Sequence, residues 1–77
     1  MKEVKVNEIY EHYKGKKYKV LAVARDSEDS EKHIVVYQGL YDSEEFGKNP
    51  VWAREITNFL AEIDYNGKKI KRFKLVE

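Results

Sequence analysis

Apolar and polar residues alternate over short runs along this chain, and each run closes on Gly, Pro, Asn, Asp or Ser. That pattern predicts short strands joined by turns rather than amphipathic helices. Residues 9–13 form a first strand and Lys14-Gly15-Lys16 a tight turn, with Gly15 supplying positive φ. Residues 17–24 follow, with Tyr18, Val20, Ala22 and Ala24 on one face and Lys17, Lys19, Leu21 and Val23 on the other. An acidic loop over 25–32 offers no apolar position to pack. Residues 33–41, HIVVYQGLY, read as the best strand of all, with Gly39 predicting a bulge or sharp bend inside it. A loop over 42–50, anchored by Phe46, leads to a strand at 51–56. One helical or 3₁₀ turn over 57–61 puts Phe59 and Leu60 at one end of the core. Residues 62–65 run into Asn66-Gly67, the strongest hairpin signal in the chain, and a last strand continues to Val76. Residues 1–7 are expected to fray, although Val4 and Val6 alternate well enough for a sheet edge.

Five short strands and one turn of helix in 77 residues predict an all-β fold, a small five-stranded, strongly bent SH3-like barrel forming a single domain over 1–77. An OB-fold and an open sheet with one packed helix are the alternatives. A domain of this size buries only about 60% of its unfolded surface. With no cysteine to form disulfides, the core must come from the aliphatics, six Tyr, three Phe and one Trp.

Charge changes this picture little. Fifteen basic against 14 acidic residues leave a net charge of +1, without the basic excess typical of nucleic-acid binders. Basic residues gather before position 20 and after position 47, whereas residues 25–45 are acidic. No apolar run reaches the roughly 20 residues of a membrane span, and the first residues lack the apolar stretch of a signal peptide. A monomeric cytoplasmic protein without membrane association is expected.

Catalytic chemistry finds few supports. There is no thiol nucleophile, the serines at 27, 30 and 43 lie in acidic loops, and no glycine-rich phosphate cradle exists. His12 and His33 are too few for a metal centre, so neither metal nor cofactor is expected, nor enzymatic activity. Tyrosines exceed what so small a core hides without effort, and their hydroxyls need partners when buried. Trp52 and Arg54, two apart on a strand, share a face; Phe73 turns inward where its neighbour Arg72 turns out. Aromatic faces beside guanidinium groups suit extended peptides, stacked bases or a small planar ligand.

The succession Y-x-H-Y-K-G (10–15), Y-x-V-L-x-V-A (18–24), S-E (27–28), V-V-Y-x-x-L-Y (35–41), W-x-R (52–54), Phe59 and N-G-K…R-F (66–73) resembles a bacterial family catalogued as domain-of-unknown-function family 1653. The resemblance covers about residues 10–73 and implies an SH3-like β domain, alone or attached to others, with no established activity. It picks out Tyr10, His12, Tyr13, Lys14, Gly15, Tyr37, Leu40, Tyr41, Trp52, Arg54, Arg72 and Phe73 as shared positions. This chain departs from it at Asp26, where His is common, at Gln38, where Arg is usual, and at Glu55 and Lys71, where Pro is common. The changes at 38 and 55 make the surface less basic and weaken a nucleic-acid reading.

Together these point to a non-catalytic binding module with a groove of His12, Tyr13, Lys14, Tyr37, Tyr41, Trp52, Arg54 and Arg72. A protein or peptide partner is favoured over single-stranded nucleic acid on charge grounds. The competing expectation is a small nucleotide-sensing or hydrolytic domain using His12 with a nearby carboxylate. The plainest alternative is an accessory fold with no discrete site.

Overall fold

The computed structural model describes residues 4–76. Its centre is a five-stranded antiparallel sheet in the order β6 (Val51–Glu55), β3 (His33–Gly39), β2 (Lys17–Arg25), β1 (Ile9–His12), β9 (Phe73–Leu75). Strands β1 (Ile9–His12) and β2 (Lys17–Arg25) form the expected hairpin, closed by a bond from the His12 N–H to the Lys16 carbonyl at 2.8 Å and by Gly15 at φ 106°. Strand β3 (His33–Gly39) pairs with β2, and β6 (Val51–Glu55) pairs with β3.

The face assignment within β2 is corrected halfway along. Val20 pairs with Tyr37 but Ala22 with Val36, so Leu21 is an extra residue in the ladder. One inserted residue turns every later side chain to the opposite face. Tyr18 and Val20 therefore face the core, then Val23 opposite Val35, while Ala22 and Ala24 are exposed. The bulge sits there and not at Gly39, which ends β3 with Tyr41 folded over it.

Within the loop expected over 42–50, β4 (Asp42–Ser43) and β5 (Gly47–Lys48) make a miniature hairpin. The Ser43 hydroxyl accepts from the Glu45 and Phe46 N–H groups at 3.2 and 3.0 Å and so holds its turn. After β6 comes the single turn α1 (Ile56–Phe59), then a hairpin of β7 (Glu62–Tyr65) and β8 (Lys68–Lys71). Its turn residues Asn66 and Gly67 both have positive φ, 52° and 78°, as the sequence signal required.

The last strand is not continuous. It breaks at Arg72, where the chain leaves β7 and joins β1 as β9 (Phe73–Leu75). Arg72 holds this crossing: its N–H donates to the Ala61 carbonyl and its own carbonyl accepts from the Tyr13 N–H, both at 3.0 Å. Its side-chain Nε–H donates to the Asn58 carbonyl at 3.1 Å, fastening α1 to the same point.

The sheet does not close into a barrel, which corrects the expected closed architecture. Among the described residues no ladder joins β6 to β9. The two edges instead approach through side chains, with the Arg54 guanidinium 5.7 Å from the Phe73 ring. Tyr10, Val20, Val35, Tyr37, Phe59 and Phe73 form the buried core. Phe59 from α1 stacks on Phe73 at 4.1 Å and 5°, and Tyr10 and Tyr37 meet it edge-on. Within the segment expected to fray, Val4 packs against this core and the Asn7 N–H donates to the Val20 carbonyl. The expectation for residues 1–3 lies outside the described residues.

Candidate functional site

The inner face of the sheet carries more aromatic surface than it buries. His12 on β1 faces Phe73 on β9, and Tyr37 on β3 faces Trp52 on β6, with Arg54 two pairs further along opposite Val35. Tyr18 lies opposite Gly39. Because Gly39 has no side chain, Tyr41 can fold back across it; a Cβ there would stand 2.6 Å from the Tyr41 ring. The Tyr41 ring thereby meets Tyr18 edge-on at 5.5 Å, and the two hydroxyls share a hydrogen bond of 3.2 Å. His12, Tyr18, Tyr37, Tyr41, Trp52, Arg54 and Phe73 enclose a half-open cavity of about 200 Å³. Every strand of the five-stranded sheet contributes to it or to the turn beside it.

The cavity's electrostatics are one-sided: no carboxylate among the described residues lines it. Arg54 donates through Nε to the Tyr37 hydroxyl at 3.2 Å and through Nη1 to Oδ1 of Asn58 at 3.1 Å. Those bonds commit two of the five N–H donors that a guanidinium has. Lys16 Nζ sits 4.2 Å from the Tyr41 ring centroid, a cation on the outer rim. Burial, then the bond to Tyr41, raises the Tyr18 pKa above its ordinary value, so Tyr18 stays a neutral phenol. The Trp52 Nε1–H is sealed from solvent and finds no acceptor among the described residues. Its ring is covered on one side by Phe46, whose ring stands edge-on at 5.1 Å.

Residues 8–75 match the family described as a protein of unknown function, DUF1653. The chain belongs to the DUF1653 family. A crystal structure of a protein belonging to DUF1653 from Bordetella bronchiseptica is similar, with a TM-score of 0.78 and 30% identity over 91% of this chain and 85% of that one. No curated protein matches the chain.

Of the residues expected in the groove, this DUF1653 domain brings His12, Tyr37, Tyr41, Trp52 and Arg54 together around the cavity. Tyr13, Lys14 and Arg72 fall outside it. Tyr13 turns the other way, against Tyr65 at 5.5 Å, and borders a second, more open cavity of about 520 Å³ with Glu11, His12, Ile70, Lys71 and Lys74. Lys14 is exposed, its Nζ 5.8 Å from the Tyr13 ring. Arg72 is engaged in holding the β8–β9 crossing. The sequence reading omitted Tyr18 and Phe73 as cavity walls. Its own face assignment held the signal, because a cavity on the inner face takes the inward Phe73 and leaves out the outward Arg72.

His12 stands between the two cavities. Its Nδ1 accepts from the Lys14 N–H at 3.1 Å, which places the proton of the neutral ring on Nε2. Its ring packs against Tyr13 at 4.4 Å and Phe73 at 5.0 Å. Burial, reinforced by the positive charges of Arg54, Arg72 and Lys14, lowers its pKa below the ordinary value of 6.5. A lowered folded-state pKa means the unfolded chain binds the proton more readily. The stability held by the neutral ring is therefore complete above pH 6.5 and lost as pH falls from there through the lower folded-state value. Urea midpoints should fall between pH 7 and pH 5.5 in the wild type. His12→Asn, whose amide oxygen can still accept from Lys14, should flatten that dependence; an unchanged slope would assign it to other groups.

Proposed function

We propose that this chain is a small non-catalytic binding module whose ligand is a segment of a partner protein, held at the aromatic, arginine-bearing cavity on the sheet's inner face. The observation that carries the reading is convergence. Seven side chains from five strands and the turn beside them surround one cavity, with a cation and several hydroxyl donors but, among the described residues, no carboxylate. No aliphatic side chain among the described residues lines this space. Instead the tyrosine hydroxyls face one another or Arg54, polar ends on an apolar wall.

The environment of His12 weighs against the hydrolytic alternative. A general base needs a carboxylate or a substrate proton within hydrogen-bond reach. The bond that Nδ1 makes goes to a backbone N–H, and the charges that depress its pKa are cationic. Glu11 borders the second cavity beside His12, but neighbouring residues on a strand direct their side chains to opposite faces.

A chemical-shift perturbation screen of the full chain against peptide pools and short oligonucleotides tests the proposal. Peptides should move the Trp52 indole N–H and the Tyr41 amide, and oligonucleotides should move them less. If neither class shifts these signals, the binding-module reading fails.

A further inference from the structure

The cavity is small for a whole ligand. About 200 Å³ is below the roughly 300–1,000 Å³ of pockets that enclose drug-sized molecules, and is several times the roughly 30 Å³ share of a water molecule. It therefore has room for an end group and little more. Its polar lining consists mostly of donors. Arg54 retains three uncommitted N–H groups towards the described residues, after those given to Tyr37 and Asn58. The Tyr37 hydroxyl accepts from Arg54, so its own O–H is free to donate. Tyr18 and Tyr41 share one hydrogen bond, which leaves one of their two O–H groups free. His12, with Nδ1 occupied, offers Nε2–H. The side-chain acceptors left to the cavity are tyrosine oxygens, and no carboxylate among the described residues lines it.

We propose that this cavity holds a carboxylate carried on a small apolar body, and specifically the C-terminal residue of a partner peptide. The inference rests on the binding-module reading and names its ligand chemistry. Arg54 is the one cation among the described lining residues, and its planar fork matches a carboxylate. A phosphate, with nearly twice the charge at pH 7, would draw on the rim cation Lys16 as well. Aromatic walls from Tyr37, Trp52 and Phe73 suit the apolar side chain beside a terminal carboxylate. Phe46, 58% exposed and packed edge-on against Trp52, extends that apolar wall for the residues preceding the terminus.

The test uses the full chain and acetylated hexapeptides ending in Leu, Val or Phe, each as free acid and as C-terminal amide. Affinities are read from titration of the Trp52 indole signal. The free acids should bind roughly 10- to 100-fold more tightly than the amides, as expected for losing a charge-assisted hydrogen bond. Arg54→Met should erase that difference, and Tyr37→Phe, which keeps the ring, should reduce it. Equal affinity of acid and amide overturns the carboxylate assignment but leaves the binding module standing. Absence of any peptide binding overturns both. Benzoate serves as the arm for a free small acid; if it binds as tightly as the peptides, the peptide assignment is overturned and the carboxylate assignment supported. Tighter binding by a 5′-phosphorylated oligonucleotide than by any peptide overturns the proposal outright. The acid–amide comparison needs no variant, so it decides the matter even if Arg54→Met folds poorly.

Discussion

Phe59→Ala should remove a large share of the domain's stability. Phe59 is fully buried and makes the one parallel stack of the core, on Phe73, with Tyr10 and Tyr37 edge-on around it. Truncating a buried Phe to Ala costs about 3–5 kcal/mol. At roughly 0.05–0.15 kcal/mol per residue, a chain of 77 residues has about 4–12 kcal/mol of stability in all. The loss also has a topological edge. Phe59 on α1 and Phe73 on β9 belong to segments that flank the β7–β8 hairpin, and their stack draws the two edges of an open sheet together. Thermal melts should show a midpoint lowered by about 4–8 °C for each kcal/mol lost. Phe59→Leu should retain most of the stability. If Phe59→Ala costs no more than a surface substitution, the stack does not hold the edges.

Gly39→Ala should change the sign of its effect with the residue at 41. In the wild type a Cβ at 39 would meet the Tyr41 ring at 2.6 Å, so the ring must shift and its bond to Tyr18 is strained. Overpacking of this kind costs about 1–3 kcal/mol. Gly39 does not have a positive φ, so alanine brings no backbone strain of its own. In a Tyr41→Ala background the clash is gone, and the smaller entropy of the unfolded chain should make Gly39→Ala stabilising by about 0.4–1 kcal/mol. Urea melts of the four proteins complete the cycle. A destabilising effect in both backgrounds would mean that Gly39 is required by something other than Tyr41. The same variant reports on the cavity, since Tyr41 is one of its walls: ligand binding should weaken with the single Gly39→Ala change.

The positions of the strands could be read from the chain because a half-buried strand writes its two faces as a period of two, and because Asn66-Gly67 leaves few alternatives to a tight hairpin. So could several of the residues that line the cavity. Trp52 and Arg54 are two apart on one strand, and Tyr37 and Tyr41 stand on the strongest strand or just beyond it. What stayed out of reach was any feature set by pairing at a distance. The extra residue at Leu21 leaves no mark on composition, yet it turns Val23 inward and Ala22 outward. Arg72 sits within an unbroken strand pattern, and only the competing claims of β7 and β1 on the same segment split it.

By itself, then, the amino-acid sequence determined an all-β chain, its turns, its aromatic core and the polar aromatic residues that a binding surface would use, because each of these follows from local alternation and residue chemistry. Only the tertiary structure decided that the sheet stays open, that Tyr18 and Phe73 wall the cavity, and that Tyr13, Lys14 and Arg72 do not. Those outcomes depend on register and on which strands become neighbours, and a single residue of slip changes the face of every side chain beyond it.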